Sequence, residues 1–401
     1  MKYPASLPMH VSRICSDLVR IKSENPPGRT DEVIEYIRNF LDGIGIRSEV
    51  SGNGEGMENL VALRERAGLM LCGHVDVVPV LAEGWTRPPF SGAIEDGYVW
   101  GRGSTDMKGG CAAILSACRT FADNNEEIPA TLAFVCDEET GGENGIRYLL
   151  AHNSIPPCDC VIAEPTPHRH PNIGQKGLCR VSLEFTGVPA HGSLYPAVGV
   201  SAIMEAMSLL AYVKGLHDQD YPVDAHLQEI IAQSSAVLGQ EFSIAGVSNV
   251  LRKLTFNPGI ICGGEKSNVV AQHCELDIEM RIPWGCSIAE ILAGISAHAG
   301  NASVTVHESH NPSITDPSCP LVAVTCREVE RVYGGTVFPI VQWAASDARH
   351  LRKCGFNVIE YGPGEIASLH AVNERASVDS LEKATEVYCG VMRQYAGDRK
   401  E

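Results

Sequence analysis

The sequence predicts an α/β protein. Its core would be a mixed, mostly parallel sheet covered by helices on both faces, with a smaller α+β domain inserted into it. Three observations predict this. Short, continuous apolar runs at 59–63, 69–75, 131–136 and 160–163 read as strands buried on both faces. Helical stretches at 31–42, 111–121 and 145–152 separate them or flank them. After Gly174 the pattern changes to alternating strands, and from Ser313 the α/β pattern returns.

The elements follow in order. Residues 31–42 carry Val33, Ile34, Ile37, Phe40 and Leu41 at helical spacing, after the breaker Asn25-Pro-Pro-Gly. Tyr98-Val-Trp is short and strand-like and leads into Gly101–Gly110, which reads Gly-Arg-Gly-Ser-Thr-Asp-Met-Lys-Gly-Gly. The glycines there mark tight turns or close approaches of the backbone, and an apolar helix follows at 111–121. In the inserted part, strands are expected at 181–185, 250–256, 274–282 and 302–307, and helices at 199–216 and 288–299. Four strands and two helices suffice for a small open-faced sandwich. Residues 217–247 are mixed and give no clear element. The closing segment offers a helix at 320–333, a strand at 358–361 and a helix at 379–395. The domain boundaries expected are 1–175 and 311–401 for the two parts of the larger domain, and 176–310 for the insert.

Composition narrows the function classes. The chain has 401 residues, 44% of them apolar, enough for two domains with real cores. Lys plus Arg is 32 against 49 Asp plus Glu, a net charge of −17. No basic cluster offsets it, so nucleic acid and anionic membrane are excluded as expected partners. The 15 cysteines are odd in number, scattered, and mostly inside apolar runs. That pattern fits buried free thiols in a reducing compartment, and a cytoplasmic location is expected. The first residues lack an apolar signal core, and the most apolar stretch, 68–82, contains His74 and Asp76.

Five places carry chemistry. His74-x-Asp76 ends an apolar strand, and two residues apart on a strand the side chains share a face. Asp76 could therefore hold the far nitrogen of the His74 ring, as metal-bound histidines are held. Asp106 sits in the glycine-rich loop. A dinucleotide loop would need a third glycine where Asp106 stands, and a carboxylate there repels pyrophosphate. Asp137, Glu138 and Glu139 close another apolar strand, and Glu164 closes a third. His370 lies beyond the Gly362-Pro-Gly364 turn. Each signal alone is ordinary: a turn histidine, a solvated charge run, a surface loop. Together they give two histidines and three carboxylates at sheet-edge loops, without thiolates, which suits a pair of zinc-like ions. Five ligands give each ion three only if one carboxylate bridges. A spare glutamate beside a ligand is what a general base would look like.

At this point the chain resembles the dizinc amidohydrolase family of acetylornithine deacetylase, succinyl-diaminopimelate desuccinylase, aminoacylase and glutamate carboxypeptidase. The matching motifs are Gly-His-Val-Asp-Val-Val-Pro at 73–79, the 101–110 loop, Asp-Glu-Glu-Thr-Gly at 137–141, Ala-Glu-Pro-Thr at 163–166, and His370 with Asn373-Glu374. They fall in family order across nearly the whole chain. The resemblance implies a zinc-exopeptidase-like fold whose insert is a lid and dimerisation domain. It implies that His74, Asp106 and Glu164 hold one zinc and His370, Asp106 and Glu139 the other. Cobalt or manganese would also suit these ligands. Asp106 would bridge, with a cis peptide to Met107, Glu138 would be the base, and Asp76 would orient His74. His191, in Pro-Ala-His-Gly, would reach a neighbouring active site across a homodimer, and Asn268, Arg281 and Gly362 would bind substrate.

The implied reaction is hydrolysis of the amide bond of an N-acyl amino acid by a hydroxide held between the two zincs, with Glu138 as base. A dipeptidase or carboxypeptidase of the same family is the alternative. A non-catalytic metal- or ligand-binding relative is remote, because it would be expected to lack Glu138 or a ligand, and this chain keeps them all. One departure bears on the acyl group: Ala344-Ala345-Ser346-Asp347 stands where desuccinylases usually show Gly-Thr-Ser-Asp.

Overall fold

The computed structural model describes residues 10–64, 67–81 and 83–397. The chain forms two compact units. One holds the residues up to Ile173, Thr315–Ile340 and the chain from Ser346 on; the other holds Gly174–Ile314 and Val341–Ala345.

The first unit is built on a mixed sheet. Its strands run in the order Glu49–Gly52, Glu58–Ala62, Ala130–Val135, Leu69–His74, Asp159–Ile162 and Asn357–Glu360. The last four are parallel to one another, and Glu58–Ala62 pairs antiparallel with Ala130–Val135. Every residue of Leu69–His74 and Ala130–Val135 is buried, as continuous apolar runs require when helices flank a sheet. Helix Lys108–Asp123 packs against helices Val11–Arg20 and Val378–Gly397 and against strand Leu69–His74. Its first turn approaches so closely that a Cβ on Gly110 would lie 2.2 Å from the Ala163 carbonyl oxygen. Glycine there lets the helix that follows Asp106 press onto the end of the strand that precedes Glu164.

A second, three-stranded sheet joins Arg375–Ser377, Tyr98–Trp100 and Ala93–Glu95. Trp100 pairs with Arg375, and the Arg375 guanidinium lies over the Tyr98 and Trp100 rings at 4.4 and 4.8 Å. This small sheet ties the 101–106 loop to the 370–374 loop.

The second unit carries a four-stranded antiparallel sheet in the order Thr255–Gly263, His273–Ile282, Gly177–Thr186 and Ser303–His310. Alternate residues point to one face: Val181, Leu183 and Phe185 with Leu276, Ile278 and Met280 pack under helices Ala202–Asp218 and Ile288–His298. The opposite face is polar, and Arg180 bridges Glu279 and Glu308 across it at 2.9 and 3.4 Å. This is an open-faced sandwich.

Two expectations for this unit need correction. Residues 250–256 are not one strand: Val247–Arg252 is a helix, and a strand begins at Thr255. Val247 and Leu251 are buried one helical turn apart, and only the end of the expected run, Thr255 and Phe256, belongs to the strand. The unplaced segment holds a long helix, Ala225–Glu241. Asp224 caps it by accepting from the Leu227 N–H at 2.9 Å, and Ile230, Ile231 and Leu238 are buried.

Lys176 closes the short helix. Its ammonium donates to the Val250 and Lys253 carbonyls, both at 2.7 Å, and to Thr255 Oγ1 at 3.2 Å. Burial pushes its pKa down from 10.5 to about 7. The folded state therefore binds fewer protons at this site than the unfolded chain between those two values, so the charge opposes folding below the window and ceases to above it. Relative to the Lys176→Met variant, the parent should gain stability as pH rises from about 7 to 10.5. Denaturant titrations across that range check this, and a pH-independent difference between the two proteins contradicts it.

Candidate metal centre

Sheet register sets the site. His74 is the last residue of its strand and pairs with Val135, while Cys72 pairs with Ile162. The chain leaving those two neighbours at 137–139 and at 164 therefore emerges beside His74. This is the carboxyl end of a parallel sheet, where α/β proteins place their ligands. Asp106 enters from the loop ahead of helix Lys108–Asp123, and its bond to Met107 is cis, as the resemblance implies. His370 comes from the opposite side with a left-handed φ of 58°.

The structure brings all five proposed ligands together. His74 Nε2 lies 3.1 Å from Asp106 Oδ1 and 3.7 Å from Glu164 Oε1. His370 Nε2 lies 3.1 Å from Asp106 Oδ2 and 3.5 Å from Glu139 Oε2. Each oxygen of Asp106 thus faces a different histidine. Ligand atoms of His74, Asp106 and Glu139 all fall within 4.8 Å of one another, as do those of His74, Glu138 and Glu164. Glu138 stands inside the cluster.

The residues around the cluster lock it. Asp76 is fully buried, and its carboxylate accepts from the N–H groups of Glu138 and Glu139, both at 3.2 Å, and from Asn25 Nδ2 at 2.9 Å. His74 Nδ1 lies 3.4 Å from Asp76 Oδ1 but nearer, at 3.0 Å, to the Asp76 carbonyl oxygen. The far nitrogen thus meets Asp76 through both backbone and side chain. Asp137 is itself left-handed, with φ 71°, and accepts from Asn144 N at 2.8 Å and Asn25 Nδ2 at 3.0 Å.

The charge balance tests whether cations fit. Burial pushes the carboxyls of Glu138, Glu139 and Glu164 above the usual range, and neighbouring carboxylates push each of them further. Burial opposes ionisation of Asp106 too, but hydrogen bonds from His370 and His74 outweigh it and hold that carboxyl low. Glu139 Oε1 is buried with no hydrogen-bond partner. A buried carboxylate oxygen without a donor is costly, and cations between these side chains would remove that cost. The oxygen and imidazole donor set fits zinc-like ions.

His191, Asn268 and Arg281 belong to the second unit. The Gly192 N–H donates to the Asn268 carbonyl at 2.8 Å, which holds the His191 loop to the Asn268 turn. His191 Nδ1 is 2.8 Å from Ser193 Oγ, and Arg281 pairs with Glu279 at 2.7 Å. Gly362 has a backbone reason of its own: a Cβ there would sit 2.1 Å from the Ala163 carbonyl oxygen. The sequence reading gave no role to Asn25, Arg102 or Glu374. Asn25 carried a signal, since it opens the Asn-Pro-Pro-Gly breaker, and its bonds to Asp76 and Asp137 show what that breaker positions.

Residues 70–394 match peptidase family M20/M25/M40. A succinyl-diaminopimelate desuccinylase of Cereibacter sphaeroides is 30% identical over 411 residues, covering 97% of this chain and 100% of the relative. Another, from a Sulfurovum species, is 26% identical over 393 residues, covering 95% and 97%. An M20 family metallo-carboxypeptidase from Sulfolobus solfataricus shares the fold with a TM-score of 0.79 at 20% identity, covering 95% of this chain and 98% of that one. With the matched region spanning most of its length, the chain belongs to peptidase family M20/M25/M40.

Proposed function

We propose that this protein is a metal-dependent amidohydrolase that cleaves the acyl–nitrogen bond of an N-acyl amino acid, of the desuccinylase or deacetylase type. The observation that carries the reading is the convergence of His74, Asp106, Glu139, Glu164 and His370 around Glu138. The desuccinylase names of relatives that align over nearly the full chain favour an N-acyl amino acid over a peptide.

In this reading His74, Asp106 and Glu164 would hold one cation, and His370, Asp106 and Glu139 would hold a second, with Asp106 shared between them. Zinc is the proposed ion, with cobalt or manganese as substitutes. When bound, the pair supplies Lewis acidity that lowers the pKa of water and polarises the substrate carbonyl. Glu138 takes the proton from the attacking water and returns it to the departing amine. Its backbone N–H is held by the Asp76 carboxylate, which fixes the point from which the side chain projects. His191, Asn268 and Arg281 are proposed to bind substrate, with His191 donating a hydrogen bond to the developing oxyanion of the partner subunit in a homodimer formed through the second unit.

Release of free amine from a panel of N-succinyl, N-acetyl and N-formyl amino acids and of dipeptides, with metal present and after chelation, tests the reading. Release from at least one N-acyl amino acid that stops on chelation and returns with zinc supports it. Cleavage of dipeptides alone replaces it with the peptidase alternative.

Glu138→Gln keeps the size of the side chain but cannot accept the proton. It should bind metal as the parent does and lose about 10²–10⁴-fold in kcat. Turnover within about tenfold of the parent would remove Glu138 from the proton-transfer role.

Shared sites make a further prediction. His191→Ala and Glu138→Ala should each be almost inactive as pure dimers. Refolded together in equal amounts they form about half mixed dimers, in which one of the two sites keeps both residues. Recovery of about a quarter of parent activity is expected for a closed two-fold dimer with independent sites. Absence of recovery, with mixed dimers demonstrated, would place His191 in its own chain's site or outside catalysis.

A further inference from the structure

We propose that the buried Arg102–Glu374 pair is a positioning device that sets the separation between Asp106 and His370, and so the geometry of the second cation site. The inference rests on the metal-site reading above.

Glu374 is fully buried and Arg102 is 4% exposed. Arg102 Nη1 meets Glu374 Oε2 at 2.5 Å. The other carboxylate oxygen, Oε1, accepts the backbone N–H groups of Thr105 at 3.0 Å and of Asp106 itself at 3.1 Å. The guanidinium meanwhile donates through Nη2 to the His370 carbonyl at 3.1 Å and through Nη1 to that of Ala371 at 3.4 Å. One ion pair therefore holds the main chain of both ligands at once. The two loops meet nearby through the Gly101 N–H, which donates to the Glu374 carbonyl at 2.9 Å, and through the Trp100–Arg375 register of the small sheet.

The character of these contacts decides what the pair does. It touches the backbone of Asp106 and His370 and leaves the carboxylate and the imidazole to the cations. It therefore controls where the ligands sit and leaves their donor atoms unchanged. A buried ion pair is a weak source of stability, because the cost of desolvating both charges commonly cancels their attraction. What it adds is direction: a planar fork and a two-oxygen acceptor fix orientation as well as distance. His370 needs such a hold. Its side chain is 52% exposed and its backbone is left-handed, so neither packing nor a preferred conformation would place it. Few other groups could replace the pair. A glutamine at 374 has one acceptor oxygen, and its amide would set N–H against either Arg102 or the Thr105 and Asp106 donors. A lysine at 102 keeps the charge but loses the fork that reaches His370.

Metal titration of the metal-free protein tests this without recourse to activity. Cobalt(II) is added stepwise, followed by calorimetry and by its visible absorption. The parent should show two binding steps, and His370→Ala should abolish one, which identifies the second site. Glu374→Gln should weaken that same step by about 10–100-fold and the other, which shares Asp106, by a clearly smaller factor. Arg102→Lys should weaken the same step by a smaller factor, and it carries the test alone if the glutamine variant fails to fold. A purely structural role would lower the melting temperature and leave both affinities unchanged, which overturns the inference. Equal weakening of both steps overturns it as well. A parent that binds no second ion contradicts the metal-site reading and the inference with it. A parent that binds two, with unaltered variants, contradicts the inference alone.

Discussion

The site depends on one electrostatic constraint: several carboxylates are gathered at the buried end of a sheet with too little positive charge to match them. Glu138, Glu139, Glu164 and Asp106 crowd two histidines, and burial and repulsion push the three glutamates away from ionisation. A protein that needed only stability would not fold this way, because buried carboxylates without partners are among the costliest groups to enclose. Two cations would turn that liability into a binding site.

The rest of the first unit serves that arrangement. Parallel pairing puts His74 beside the exits of two neighbouring strands, so three segments that carry proposed ligands share one edge. A Cβ on Gly110 or Gly362 would clash with the Ala163 carbonyl oxygen, at 2.2 and 2.1 Å, so the helix after Asp106 and the turn before His370 crowd the strand end that leads to Glu164. Outside the ligands lies a second layer of polar groups. Asn25 and Asp76 hold the Glu138 loop from one side, and Arg102 with Glu374 ties the Asp106 and His370 loops on the other. The proposed ligands come from a strand end and four loops, and without such holds they would be free to drift by more than a metal site tolerates.

Much of this was legible in the sequence, for a physical reason. A strand buried on both faces shows as an unbroken apolar run, so a charged residue at its end stands out. His74, the acidic run at 137–139 and Glu164 are all marked this way. Asp106 is marked by surrounding glycines. The pairing of strand Arg375–Ser377 with Tyr98–Trp100 was not legible, because three-residue strands far apart in sequence carry no periodicity and depend on tertiary contacts. The same holds for Asn25, whose pattern announces a turn but not what the side chain reaches. The helix Val247–Arg252 was misread because it is six residues long and runs almost directly into a strand, so only the burial of Val247 and Leu251 reveals its spacing. In the second unit, alternation fixed the strands well because one face is apolar and the other is polar.

The central claim is that Asp106 stands between two cations held by His74 with Glu164 and by His370 with Glu139. Anomalous diffraction from crystals grown with zinc, recorded on both sides of its absorption edge, addresses this most directly. The account predicts two peaks, one beside each oxygen of the Asp106 carboxylate, with Glu138 near both and ligating neither. A single peak, or peaks that leave Asp106 uncoordinated, would contradict it.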